Sequence, residues 1–426
     1  MNKLTIALLV GLSLSISTWG QNDTVKYVDN ESCGCELVFI NGIQTTESNG
    51  LYGFKLEDGT QIVENKYMYV DKFHGNYCKV YLDDYHCGLI NRDGEEIVPC
   101  IYESLNYPSD SMILVTQNGL HGYTDMRGEL VIPCQYRAAS GFAEGLAVVS
   151  IDIDSFTVYY GYIDKKGRIA INPEYEYCYP YNENVAVVKQ YDRYGMIDKN
   201  GKTALTIKYE FVSSMNNGRF FAADNGAIAM FDSSYRQMTP FKYHDIIAYN
   251  EGVYLVMRDR KYGYLNAKGE EYISCEYDMA GPFINGYATI MKDQKYGIIR
   301  KDGTIILPTE FDHSGIREEA YIFHDGRALV EKNGRFGFVD TTGTIVVPIF
   351  YDAAYQYSEG LAPIKSNGMW GFIDTEGYLF IPFVFQYASP FLHGRAEVVY
   401  NGTTHKMNPK GECVKNCKEA PKSWRQ

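Results

Sequence analysis

The sequence predicts an all-β repeat protein, on three observations. There is a 34-residue period, glycine and proline recur at phases that would break helices, and short β-type runs lie between them. The period is plainest in a tight turn of the form Asp-x-x-Gly, found from Asp125 to Gly128, Asp164 to Gly167, Asp198 to Gly201, Asp340 to Gly343 and Asp374 to Gly377. Looser copies run from Leu56 to Gly59, Asn91 to Gly94, Asn266 to Gly269 and Arg300 to Gly303. The last turn position falls at 59, 94, 128, 167, 201, 235, 269, 303, 343, 377 and 411, and only Tyr235 replaces its glycine. This gives ten full copies and a partial eleventh, with spacings of 34 or 35 except for a 39 and a 40.

Each element of the copy follows from residues in phase with that turn. A second glycine stands six residues earlier, as in Gly53, Gly88, Gly161, Gly263, Gly337 and Gly371, with an aromatic residue usually before it: Tyr52, Tyr160, Tyr194, Tyr262, Tyr296, Phe336 and Trp370. Proline often follows the turn by five, as Pro99, Pro133, Pro240, Pro308, Pro348 and Pro382. A ring always follows by eight: Tyr67, Tyr102, Tyr136, Tyr175, Tyr209, Tyr243, Tyr277, Phe311, Tyr351 and Phe385. Helical tetratricopeptide repeats share the period, but these glycines and prolines would break both of their helices. The turn itself suits an Asp that accepts local N–H groups and a glycine in the left-handed region. A copy therefore reads as strand, tight turn, strand, proline stop, aromatic corner and third strand. Units of about three strands favour an open solenoid or superhelix, with a propeller-like ring as the alternative.

The rest of the chain divides around this array. Residues 1–20 read as a signal peptide, with Lys3 ahead of a short apolar run from Leu4 to Leu14 and small Thr18 and Gly20 before Gln21. That run is too short for a membrane span, and no later stretch is long and apolar enough. The mature protein is thus expected to be exported, periplasmic or secreted. Residues 21–49 read as an N-terminal cap, 50–411 as the array and 412–426 as a tail. A net charge of -13 opposes binding to nucleic acid or anionic membranes.

The unit Asn367-Gly368-Met369-Trp370-Gly371-Phe372-Ile373-Asp374 resembles the bacterial WG-repeat family, named for its Trp-Gly pair. The stretches from Phe142 to Val149 and from Tyr357 to Ala362, each with Glu-Gly-Leu-Ala, match that family's second hallmark. Only Trp370 keeps the tryptophan; Tyr, Phe, Cys87 or His121 stands there elsewhere. The resemblance covers about residues 50 to 411 and implies a β-rich repeat, with no established reaction or ligand. A fainter resemblance is to choline- and cell-wall-binding repeats, in which rings from adjacent hairpins cradle a ligand.

Ten cysteines in an exported chain point to disulfides. Cys33 and Cys35 precede the array and Cys413 and Cys417 follow it, where covalent caps would limit fraying; a zinc site is the rival. Cys100 and Cys134, in phase in adjacent copies, could face each other or line an apolar ladder. The Asp-Gly turns offer too few oxygens for calcium. The eight histidines fall in different copies and phases, and no nucleophile elbow, phosphate loop or His-Glu-x-x-His is present. No catalytic, cofactor or metal residue is therefore assigned. The two long spacings come from insertions that hold candidate binding-loop residues, Asp152 and Asp154 in one and His313, Arg317 and Glu318 in the other. The sixth copy, from Gly226 to Asp232, has lost both glycines. The expectation is a non-catalytic binding or scaffold protein with a protein partner, or alternatively an envelope glycan stacked on the aromatic ladder.

Overall fold

A computed structural model describes residues 25–30, 35–152, 158–312, 322–417 and 420–425. Among these residues there is no helix, and 42 strands form eleven antiparallel sheets of three to five strands. Every sheet is a meander with neighbouring strands consecutive in the chain, and none closes on itself. The all-β repeat expected from the sequence is thus present. The chain forms two compact units, one ending at Pro240 and the other starting at Phe241.

A typical sheet comprises Ser104–Leu105, Ile113–Gln117, Leu120–Thr124 and Leu130–Tyr136. The short first strand follows directly on the aromatic corner of the preceding copy, Tyr102, so the sheet boundary lies just after that ring. Two points of the sequence reading need correction here. Most sheets have four strands where three were expected, because a two-residue strand carries no periodic pattern to read. The count that counted against blades therefore no longer separates the two architectures.

The second correction concerns proline. Pro99, Pro133, Pro308, Pro348 and Pro382 do not stop a strand but lie inside the last one. That strand is an edge, where a missing N–H costs no ladder bond. It is also bulged: Leu89 faces Val98 and Cys87 faces Tyr102, so two steps on one strand match four on the other. The bulge turns the last strand over the glycine between Cys87 and Leu89. A Cβ on Gly88 would lie 2.5 Å from the Val98 carbonyl oxygen, and on Gly337 or Gly371 2.6 Å from the Val347 or Ile381 oxygen. These glycines are required by space, not by backbone angle.

The sixth copy shows the converse. Its equivalent position is Ala229, and its sheet ends after Ala227–Asp232 without a fourth strand. Only an isolated bridge joins Phe231 to Gln237, and the hydroxyl of buried Thr239 accepts the Met230 N–H at 2.9 Å. The boundary between the two units falls just beyond this sheet.

The core is built from rings at fixed phases. The corner rings are buried in nearly every copy, from Tyr67, Tyr102 and Tyr136 to Phe311 and Phe385. Outside the sixth copy each faces, in register, the residue before the close-packed glycine, as Tyr160 faces Tyr175 and Trp370 faces Phe385. Adjacent sheets meet through other rings: Tyr123 on Phe142, Tyr162 on Tyr181, Tyr264 on Phe283 and Phe338 on Tyr357, with centroids 4.7–4.9 Å apart. The Tyr123, Tyr162 and Tyr264 hydroxyls also donate across that boundary to the carbonyls of Ser140, Tyr179 and Gly281.

At the C-terminal end the array is capped. His405 takes the close-packed glycine position, and the last strand is cut to Cys413–Lys415 before a Cys413–Cys417 disulfide turns the chain. Trp424 folds back into the core beside Phe385, Tyr400 and His405, at 5.4–6.0 Å between centroids. Its ring fills the last core where the shortened strand supplies no corner residue.

Candidate binding surface

Two kinds of contact join successive sheets within each unit, and together they define the two ends of the sheets. At one end lies a two-residue hairpin turn. Its acidic first residue reaches the equivalent turn of the following sheet and accepts a backbone N–H there. Asp110 accepts from Gly145 at 2.5 Å, Glu144 from Asn184 at 3.0 Å, Glu183 from Gly218 at 2.8 Å, Glu251 from Gly286 at 3.0 Å, Asp325 from Gly360 at 2.8 Å and Glu359 from Gly394 at 3.0 Å. The residue before the acid donates alongside it, Ser109 to the Phe142 carbonyl and Ser358 to that of Phe391, at 2.5 and 2.7 Å. Lysines of the next Asp-Gly turn reinforce two of these acids, Lys165 on Asp110 at 3.0 Å and Lys199 on Glu144 at 3.1 Å. The Glu of the second sequence hallmark is thus a clasp between sheets.

At the opposite end, ion pairs join the start of a strand to the residue that follows the corner ring: Arg193 with Glu210, Lys261 with Asp278, Lys295 with Asp312 and Arg335 with Asp352. This end also carries the rings left partly open to solvent. Tyr160 packs on Tyr177 at 5.3 Å, Tyr177 on Tyr179 at 5.0 Å and Tyr194 on Phe211 at 6.4 Å. In the second unit Tyr355 lies flat on Trp370 at 5.1 Å and 12°. Tyr177, Tyr355 and Tyr387 are about two-fifths exposed, and Tyr191, on a hairpin tip, is 84% exposed. In each unit by itself, the rings on or next to the first strand and before the close-packed glycine form the candidate surface. The corner ladder, read from the sequence as the sugar-stacking feature, is core.

The residues singled out in the sequence fare unevenly. Asp152 ends the strand Leu146–Asp152 and pairs with Arg137 at 2.9 Å. Asp154, His313, Arg317, Glu318, Cys33 and the leader 1–20 lie outside the described residues. Cys35 opens the strand Cys35–Ile40. Cys413 and Cys417 are joined, which replaces the zinc alternative there by a disulfide. Cys100 and Cys134 are both free and so not paired with each other, the first buried and the second half-buried. Burial pushes the Cys78, Cys100 and Cys178 thiols up to about 12, far from the reactive range. The turn aspartates are occupied as expected: Asp125 accepts the Arg127 and Glu129 N–H groups at 2.8 and 3.0 Å.

One polar cluster had no sequence signal. Glu271 accepts from Lys242 at 2.9 Å, the Tyr243 hydroxyl at 2.9 Å and Arg258 at 2.8 Å. Burial pushes its carboxyl up, but the bonds from Lys242, Tyr243 and the Cys275 N–H outweigh this and hold it at about 2. Its donors come from three segments of the second unit, so no local spacing reveals it. The arrangement fastens the start of that unit.

The model of the WG containing repeat matches residues 88–120, 122–152, 160–194, 194–226, 262–296, 296–336, 336–370 and 370–403. The chain belongs to the WG-repeat family. The matches to the WG repeat skip 227–261, the stretch that begins in the sheet lacking its last strand. No curated protein matches the chain. Among solved structures, a eukaryotic initiation factor is 10% identical at a TM-score of 0.39, covering 67% of this chain and 86% of its own. The extracellular domain of BT4673 from B. thetaiotaomicron is 10% identical at a TM-score of 0.24, covering 94% and 67%. BamB from Moraxella catarrhalis is 11% identical at 0.27, covering 76% and 98%. None of these scores reaches the level at which a shared fold follows.

Proposed function

We propose that this WG-repeat chain is an exported, non-catalytic binding module that holds a protein partner on the ring-bearing end of its sheets. The observation that carries this reading is the set of paired, partly exposed rings there, Tyr160 with Tyr177 and Tyr194 with Phe211. Tyrosine offers a large, rigid and amphipathic contact area at low entropic cost, which is why it is enriched at protein interfaces. The clasps and ion pairs hold successive sheets in register, so the rings are preorganised and little ordering is needed on binding. The leader-like run of residues 4–14 supports export. A glycan partner is disfavoured because the ladder it would use is buried.

Capture of envelope proteins by the purified chain, run beside a glycan array, tests the reading. A partner retained by the wild-type chain and lost on Tyr177→Ser/Tyr194→Ser is the expected outcome. A positive array with no protein captured would overturn it in favour of a carbohydrate ligand.

A further inference from the structure

The ion pair at the ring-bearing end of the sheets is replaced in the first copy. Where later copies place Lys261 with Asp278, or Arg335 with Asp352, the first copy has Leu51 and Met68. The register that sets Tyr52 opposite Tyr67 puts these two residues at the equivalent sites, eight before and nine after the turn position. No other full copy has an apolar residue at both sites: the remaining pairs each include Glu, Arg, His, Asp or Gln. Both are exposed, at 38% and 41%.

More apolar surface adjoins them. The Met68 N–H donates to the Tyr81 carbonyl at 2.8 Å, and Tyr69 packs on Tyr81 at 5.5 Å. Leu82 follows in the same strand, and Tyr85 stands on the hairpin tip, 72% exposed. Acids edge this surface. Asp83 and Asp84 lie on the hairpin between Leu82 and Tyr85, and Asp83 holds His86 at 2.7 Å. Glu47 caps the neighbouring hairpin by accepting the Gly50 N–H at 2.9 Å.

We infer that Leu51, Met68 and Leu82, which the strand registers set on one side, form with Tyr85 on the hairpin tip a docking patch for a polypeptide segment that is both apolar and cationic. Leu51 and Met68 are the side chains left where the ion pair is given up, and exposed apolar side chains gathered on one side in this way mark an interaction site. The carboxylates at its edge, with tyrosine faces beside them, select positive charge. A second copy of this chain is a poor occupant, since each copy carries a net charge of -13. The inference rests on the protein-binding reading above and assigns it a place and a partner chemistry.

The test is fluorescence anisotropy of the purified chain with three labelled dodecapeptides, alternating Arg-Leu, Arg-Ser and Glu-Leu. Arg-Leu is expected to bind best, with affinity falling as salt rises. Leu51→Lys/Met68→Asp rebuilds the ion pair of the later copies and so keeps the fold; it should weaken Arg-Leu binding about tenfold with an unchanged melt. Leu82→Ser, and separately Asp83→Asn/Asp84→Asn, should weaken it as well. Equal binding of Arg-Ser or of Glu-Leu would overturn the inference, as would variants that bind like the wild type. Self-association of the wild type abolished by Leu51→Lys/Met68→Asp would give the patch to a second copy. If envelope capture survives in this variant but is lost in Tyr177→Ser/Tyr194→Ser, the patch assignment falls while the general reading stands.

Discussion

Glycine does two different jobs in this chain, and they respond differently to a methyl group. At Gly371 a Cβ would meet the Ile381 carbonyl at 2.6 Å and the backbone of Pro382 and Phe383 at 3.0 and 3.1 Å, none of which can yield cheaply. Gly371→Ala should therefore cost about 2–3 kcal/mol and lower the melting temperature of the second unit. At Gly368, three residues earlier, φ is +82° and the space is open. Gly368→Ala should cost only about 1 kcal/mol, the penalty of a left-handed backbone. Thermal melts of the two variants check the contrast, and equal losses would contradict it.

Glu271 gives a second residue-level expectation. Its carboxyl is held at about 2, below the ordinary 4.5, so the folded state favours the charged form. The stabilisation is fully present above the ordinary value and is lost as pH falls towards 2, amounting to no more than about 3 kcal/mol. Denaturant titrations between these limits should show the acid-side loss in the wild type and a flatter profile in Glu271→Gln.

At the scale of the element, the unit of construction is the sheet plus its two fasteners. Each acidic clasp is a charge-assisted bond to a turn N–H, partly exposed to solvent. Glu359→Gln should cost about 1 kcal/mol and speed hydrogen exchange at Gly394 while leaving the Leu361–Ser366 strand protected. Exchange spreading through that whole sheet would mean that the clasp governs the sheet itself. The same scale explains the limits of the sequence reading. The period, the turn chemistry and the corner rings were legible because each recurs at a fixed phase. The two-residue first strand was not, since it has no pattern of its own. Proline was read as a stop because the sequence does not reveal that the strand around it is an edge. The Glu of Glu-Gly-Leu-Ala was visible as a hallmark, but its partner lies about one period ahead, and no local spacing shows that contact.

On the scale of the whole molecule, the two compact units divide beside the sheet in which Ala229 replaces glycine and the last strand is missing. Compact units of one chain can unfold in separate steps. Calorimetry should resolve two transitions, with Gly371→Ala shifting only one. Trp424→Ala should lower that same transition by about 3 kcal/mol, as it empties the terminal core beside Phe385.

The sequence by itself determined the class, the period, the copy number and the turns, because these depend on local chain geometry and recur. It also carried the family membership. Only the tertiary structure decided which tyrosines are core and which face solvent, why the second glycine must be glycine, and how sheets are fastened together. Those properties belong to atoms brought close from different copies, such as the Ile381 carbonyl over Gly371 or Glu359 on the Gly394 amide. A ring eight residues after the turn and a ring ten after it look alike in the sequence. The bulged edge strand closes over one of them, and the other is left at the open end of the sheet.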